Sequence, residues 1–107
     1  MQAPDVYEAR AEILKALAHP SRLAIVDALA EGERCVCELQ ELVGSDMSTV
    51  SRHLALMKAA GLLAARREGT SIYYRLRVPC VTRLFTCVEA VLAADTKERA
   101  RRVEARA

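Results

Sequence analysis

A chain of 107 residues, 52% hydrophobic and 28% charged, is sized for one domain with one core and is small enough that dimerisation would add stability. Its formal net charge of +2 identifies no partner, and no apolar run reaches the roughly 18 residues that span a bilayer. With no signal-peptide pattern at the N-terminus, the expectation is a cytoplasmic protein without membrane contact.

Charge is unevenly distributed. Residues 1–44 carry Arg10, Lys15, Arg22 and Arg34 against Asp5, Glu8, Glu12, Asp27, Glu31, Glu33, Glu38 and Glu41. Residues 45–77 carry Arg52, Lys58, Arg66, Arg67, Arg75 and Arg77 against Asp46 and Glu68 alone. An acidic part followed by a basic one points to a face built to meet phosphates.

In chain order, residues 5–18 read as a helix with Val6, Ile13, Leu14 and Leu17 as its apolar set. His19-Pro20 closes it, because the residue before proline is pushed out of the α region. Pro20 then suits the first turn of a second helix, running through Leu23, Ile25, Val26, Ala28 and Leu29 to a stop near Gly32. His19 is taken as a junction residue beside the cap of that helix in preference to a ligand. The segment Glu33–Cys37 follows, then a short third helix from Glu38 to Val43, closed by Gly44.

The stretch Asp46–Gly61 has Met47, Val50, Leu54, Met57 and Ala60 on one stripe, with Leu56 and Ala59 beside it. Ser48, Thr49, Ser51, Arg52 and Lys58 are left facing outward, Asp46 is a good N-cap, and Gly61 suits a helix end. A short helix, a tight turn and this second helix over residues 38–61 have the form of a helix-turn-helix, its small hydroxyl-rich face suited to a DNA major groove. From Leu62 to Val78 the period changes to that of a β-hairpin with Gly69 at its tip, and the arginines near the tip are what a wing along a DNA backbone needs. Pro79 opens a last helix, to about residue 96, with Val81, Leu84, Phe85, Val88, Val91 and Leu92 as a broad apolar face. Beyond Thr96 the charges alternate in sign, as in a solvated, fraying helix end. Apolar first and last helices (about 5–31 and 79–96) point to a surface shared between two copies, which paired half-sites on DNA also call for. The fold class expected is therefore mainly α with a small β-hairpin, a single homodimeric winged helix-turn-helix over residues 1–107. Neither a nucleophile elbow, an H-E-x-x-H pair nor a phosphate-cradling glycine loop is present, so an enzyme is not expected.

Leu17-Ala18-His19-Pro20-Ser21-Arg22-Leu23, Cys35-Val36-Cys37-Glu38-Leu39, Ser48-Thr49-Val50-Ser51-Arg52-His53-Leu54 with Ala60-Gly61-Leu62, and Arg67-Glu68-Gly69 through Tyr73-Tyr74 together resemble the ArsR/SmtB family of bacterial metal-sensing repressors, over roughly residues 10–92. The resemblance implies a homodimer that sits on double-stranded operator DNA when ligand-free and leaves it when an inducer binds. It places Ser48, Thr49, Ser51 and Arg52 against the DNA with His53 beside them, makes Arg66 and Arg67 the backbone contacts of the wing, and lets Arg22 reach a phosphate. Met47 stands where many members have a polar residue.

The family's metal-binding box falls on Cys35 and Cys37. On an ideal helix residues two apart differ by about 200°, whereas in an extended segment they point the same way. A C-x-C chelate is therefore expected to need an extended or unwound start of the third helix, which couples ligand capture to the DNA-binding unit. Soft thiolates with no nearby histidine favour a thiophilic ion such as As(III), Sb(III), Cd(II) or Pb(II) over nickel or a His/Asp zinc site. The resemblance makes As(III) or Sb(III) the expected inducer, with Cd, Pb or Zn as the alternative metals and thiol oxidation or persulfidation as the alternative trigger. The family's arsenic sensors often have a third cysteine where this chain has Gln40. Cys80 is the expected third donor, reached if the strand before the third helix pairs with the second wing strand, and Cys87, among Leu84, Val88 and Val91, is expected to pack. A thiol metal carrier or protein-interaction module on the same scaffold is the reading from a different class.

Overall fold

The computed structural model describes residues 4–106, and residues 1–3 and 107 lie outside it. Helices α1 (Pro4–Leu17) and α2 (Pro20–Ala30) meet at the His19-Pro20 junction, where His19 is extended and its Nδ1 accepts the Ser21 amide at 3.0 Å. Strand β1 (Arg34–Cys35) leads into α3 (Val36–Val43), a turn through Gly44 leads to α4 (Met47–Ala59), and β2 (Leu63–Glu68) and β3 (Ser71–Leu76) form the hairpin. Gly44 closes α3 in the left-handed region at φ 76°, and Gly69 takes φ 62° at the hairpin tip, conformations a side chain disfavours. A 3₁₀ turn (Pro79–Thr82) precedes α5 (Arg83–Arg106).

Three boundaries differ from expectation, the first being that the last helix, expected from Pro79, opens as a 3₁₀ turn and becomes α-helical only at Arg83. α3 begins at Val36, two residues before Glu38, because Cys35 in β conformation serves as its N-cap and Glu38 accepts the Cys35 amide. α5 runs to Arg106, well past Thr96, held in part by the i,i+4 pairs Asp95–Arg99 and Glu98–Arg102.

The core lies where α2, α3 and α4 pack on one another and on the sheet. Ile25, Val26, Leu39, Val50, Leu54 and Met57 are fully buried, with Leu63 and Leu76 closing the sheet side. Their burial fixes the rotation of α4 about its axis, and hence the residues it presents. The sheet is antiparallel in the order β1-β3-β2, with β2 and β3 in register from Leu63↔Leu76 to Glu68↔Ser71. The architecture is the expected winged helix-turn-helix. Among the described residues no helix is long and apolar enough to cross a membrane.

Candidate functional site

α4 shows two distinct sides. Val50, Leu54 and Met57 are buried, while Ser48, Ser51 and Arg52, at i, i+3 and i+4, are exposed on the side away from the core. Asp46, extended at the N-cap position, accepts the Ser48 hydroxyl at 2.5 Å. The Ser48 hydroxyl first, and the Thr49 hydroxyl second, hold the Asp46 carboxyl below the usual carboxylate range. Thr49 is half-buried, and its hydroxyl accepts Arg52 Nη2 at 3.5 Å. Small hydroxyls held by a carboxylate, next to one guanidinium, can offer donors and acceptors to base edges and phosphates.

Two residues expected at the DNA are placed differently. His53 is half-buried and stacks on His19, ring centroids 4.4 Å apart and planes tilted by 49°. Burial first, then the charges of His19, Arg22 and Arg52, push its pKa below the ordinary 6.5. Its position follows from helix geometry: one residue after Arg52, the His53 side chain turns toward the α1–α2 junction. Arg22 Nη1 donates to the carbonyls of Lys15 and Ala16, at 3.1 and 3.4 Å, and its buried Nε has no partner among the described residues. It serves as a cation at the C-terminus of α1, where the last carbonyls are otherwise unpaired.

The wing arginines separate by strand alternation. Arg67 stands opposite Ile72, whereas Arg66 stands opposite Tyr73 on the other face. Arg66 lies 4.7 Å over the Tyr73 ring and donates to both Glu33 oxygens from Nε, at 2.9 and 3.0 Å. Its Nη2 donates to Glu33 at 2.6 Å and its Nη1 to Glu68 at 2.9 Å. This bonding raises the Arg66 pKa further above its already high range, and Arg66 holds the Glu33 carboxyl below its usual range. Tyr73 belongs to the wing pattern read from the sequence, whereas Glu33 and Arg75 carry no sequence signal for this contact. Alternation along β3 places Tyr73 and Arg75 on one face, but nothing local ties Glu33 to the hairpin.

At the start of α3 the sulfurs of Cys35 and Cys37 are 2.7 Å apart, and both thiols are free. Convergence needs no unwinding of the helix. Cys35 is the extended N-cap residue, and an N-cap side chain leans over the first turn, where Cys37 sits. The extended start expected for the chelate is present, but at Cys35 alone, while Val36 and Cys37 are already helical. Cys35 is buried and also donates to Glu38 at 3.2 Å, while Cys37 is exposed. The Cys37 thiol is the largest cause raising the Cys35 pKa, with burial and the Glu38 side chain adding to it and the Glu38 amide opposing it.

Cys80 does not join them. Pairing is Arg34↔Tyr74 and Cys35↔Tyr73, so the chain from Arg34 to Cys37 runs antiparallel to β3 and away from its C-terminal end. Cys80 follows that end, exposed in the 3₁₀ turn, and Cys87 is exposed on α5. Among the described residues no three His, Cys, Asp or Glu side chains form a group able to hold a metal ion. Cys35 and Cys37 alone come together, and the expected Cys35–Cys37–Cys80 trio is not assembled in one chain.

The sequence profile of the arsR family of bacterial regulatory proteins matches residues 19–65. Over 100 residues the chain is 36% identical to the uncharacterized HTH-type transcriptional regulator Rv0081 of Mycobacterium tuberculosis, spanning 92% of this chain and 88% of that one. The crystal structure of Rv0081 matches with a TM-score of 0.78 over 92% of this chain and 99% of that chain. A homodimeric winged helix-turn-helix DNA-binding domain, Mb0332 of Mycobacterium bovis, matches at 38% identity and TM-score 0.74, covering 91% of this chain and 93% of that one. The HTH-type transcriptional repressor SmtB of M. tuberculosis is 43% identical over 72 residues, 67% of this chain and 53% of that protein.

Proposed function

Because the chain belongs to the ArsR family of bacterial regulatory proteins and is a transcriptional regulator, we propose that it is a homodimeric repressor that leaves its operator when a thiophilic ion, As(III) or Sb(III), binds Cys35 and Cys37. The observation carrying the inducer reading is the convergence of two free sulfurs, 2.7 Å apart, at the N-terminus of α3. DNA binding rests on the outward set Ser48, Ser51 and Arg52, with Thr49 beside them and Arg67 on the wing. Dimerisation is supported by apolar side chains left exposed on α1 and α5, among them Tyr7, Leu14, Val88, Val91 and Leu92. The homodimeric state of the Mb0332 domain supports it as well.

When bound, the ion would replace two S–H protons with two bonds to sulfur. The consequence for the chain follows from the double position of Cys35, which ends β1 and caps α3. A sulfur committed to a ligand is a poorer acceptor for the Glu38 amide. α3 packs against α4 through Leu39, so a shift at its first turn reaches the helix that meets DNA. A coupling of about 1–3 kcal/mol, or 5- to 150-fold in affinity, is the usual range for such linkage.

Titrating a fluorescent duplex of the protein's own promoter region, with and without arsenite, tests this. Wild type should lose DNA affinity within that range, whereas Cys35→Ser and Cys37→Ser should bind DNA normally and ignore arsenite. Two serine variants that still respond would refute the assignment. The same 2.7 Å approach favours a second reading, in which an oxidant joins the two thiols as a disulfide. Mass spectrometry of the peroxide-treated protein distinguishes it by the loss of two hydrogens.

A further inference from the structure

Arg66 was expected to meet the DNA backbone, yet two carboxylates already satisfy its guanidinium. Glu33 takes its Nε and Nη2 edge in a bidentate fork, the geometry arginine uses on a phosphate. Glu68 takes Nη1, and the Tyr73 ring holds the guanidinium plane at 4.7 Å. Glu33 and Glu68 against Arg66 and Arg75, whose charge also reaches Glu33, leave this face of the wing with no net positive charge, although both arginines belong to the basic part of the chain. Glu33 is not part of the hairpin: it lies 33 residues earlier, between α2 and β1. The Arg66 side chain remains 51% exposed, so a phosphate has access to it once the fork opens.

We propose that Glu33 stands in for a DNA phosphate on Arg66, so that this one carboxylate sets how much the wing contributes to DNA affinity. The inference rests on the DNA-binding reading above. A phosphate must displace Glu33 to gain Arg66, and the ion pair broken offsets the contact made. Without Glu33 the same contact forms with less opposition, and one more counterion is released from the DNA.

The test is a double-mutant cycle in Glu33→Gln and Arg66→Gln, read by fluorescence anisotropy on a random-sequence duplex across a salt series. Glu33→Gln should bind roughly two- to five-fold tighter, the range of an exposed ion pair. Its log–log salt slope should steepen by about 0.9, one phosphate contact. Arg66→Gln should change little in the wild-type background and cancel the gain in the Glu33→Gln background. Glu33→Ala provides a second route to the same loss of charge, and thermal melting checks that each variant is folded. Equal slopes for wild type and both Glu33 variants would overturn the proposal. So would an Arg66→Gln loss of the same size in both backgrounds. A wild-type protein with no salt-dependent DNA affinity removes the DNA-binding reading itself, an outcome distinct from an additive cycle on a protein that binds.

Discussion

Leu54 and Leu56 lie two residues apart on α4, and the DNA reading requires them to behave very differently. Leu54 is 0% exposed in the core, whereas Leu56 is 44% exposed. Leu54→Ala removes three buried carbons from a site walled by α2, α3 and the sheet, which costs about 2–5 kcal/mol. Set against the roughly 5–15 kcal/mol by which a domain of this size is stable, that is a large fraction. At about 4 °C or more per kcal/mol, the melting temperature should fall by at least roughly 8–20 °C. Leu56→Ala should cost less than about 1 kcal/mol and Ser51→Ala less than about 0.5 kcal/mol, because neither side chain fills the core. Circular-dichroism melts at one fixed protein concentration read all three. If Leu56→Ala or Ser51→Ala destabilises as much as Leu54→Ala, α4 is rotated differently. Ser48, Ser51 and Arg52 would then not be the residues offered to DNA.

Three further outcomes follow from other parts of the molecule. Cys35→Ser turns the first turn of α3 into a Ser-x-x-Glu capping box and should melt close to wild type, whereas Cys35→Val, of similar volume but without the cap, should melt several degrees lower; equal melting of the two would refute the capping role. His53, with a pKa below 6.5 in the fold, is protonated first in the unfolded chain, so its contribution to stability is present above about pH 6.5 and lost as pH falls toward the folded value. Melts on either side of pH 6.5 should show that loss in wild type and a reduced one in His53→Gln. Arg67→Gln should flatten the salt dependence of DNA affinity by about one phosphate contact, and an unchanged slope would remove Arg67 from the interface.

The order and type of the elements could be read from the chain because their signals are local. Pro20 and Pro79 start turns of helix, Gly44 and Gly69 take positive φ, and Val50, Leu54 and Met57 recur at helical spacing. Those spacings also supplied the hydroxyl-rich outer face of α4 and drew attention to Cys35 and Cys37. What the thiols do to each other was not legible, since it depends on where α3 begins. The capping by Cys35 advanced that start to Val36 and brought the sulfurs together on regular backbone.

Local periodicity thus determined the helices, the wing and which side of α4 faces away from the core. Tertiary structure alone decided that Cys80 lies away from the thiol pair, that His53 packs on His19, that Arg22 binds the end of α1, and that Glu33 occupies Arg66. The physical reason is the range of each effect. Helical and turn preferences act over a few neighbouring residues, whereas strand register and helix packing place distant side chains in contact with no signal in the residues between them.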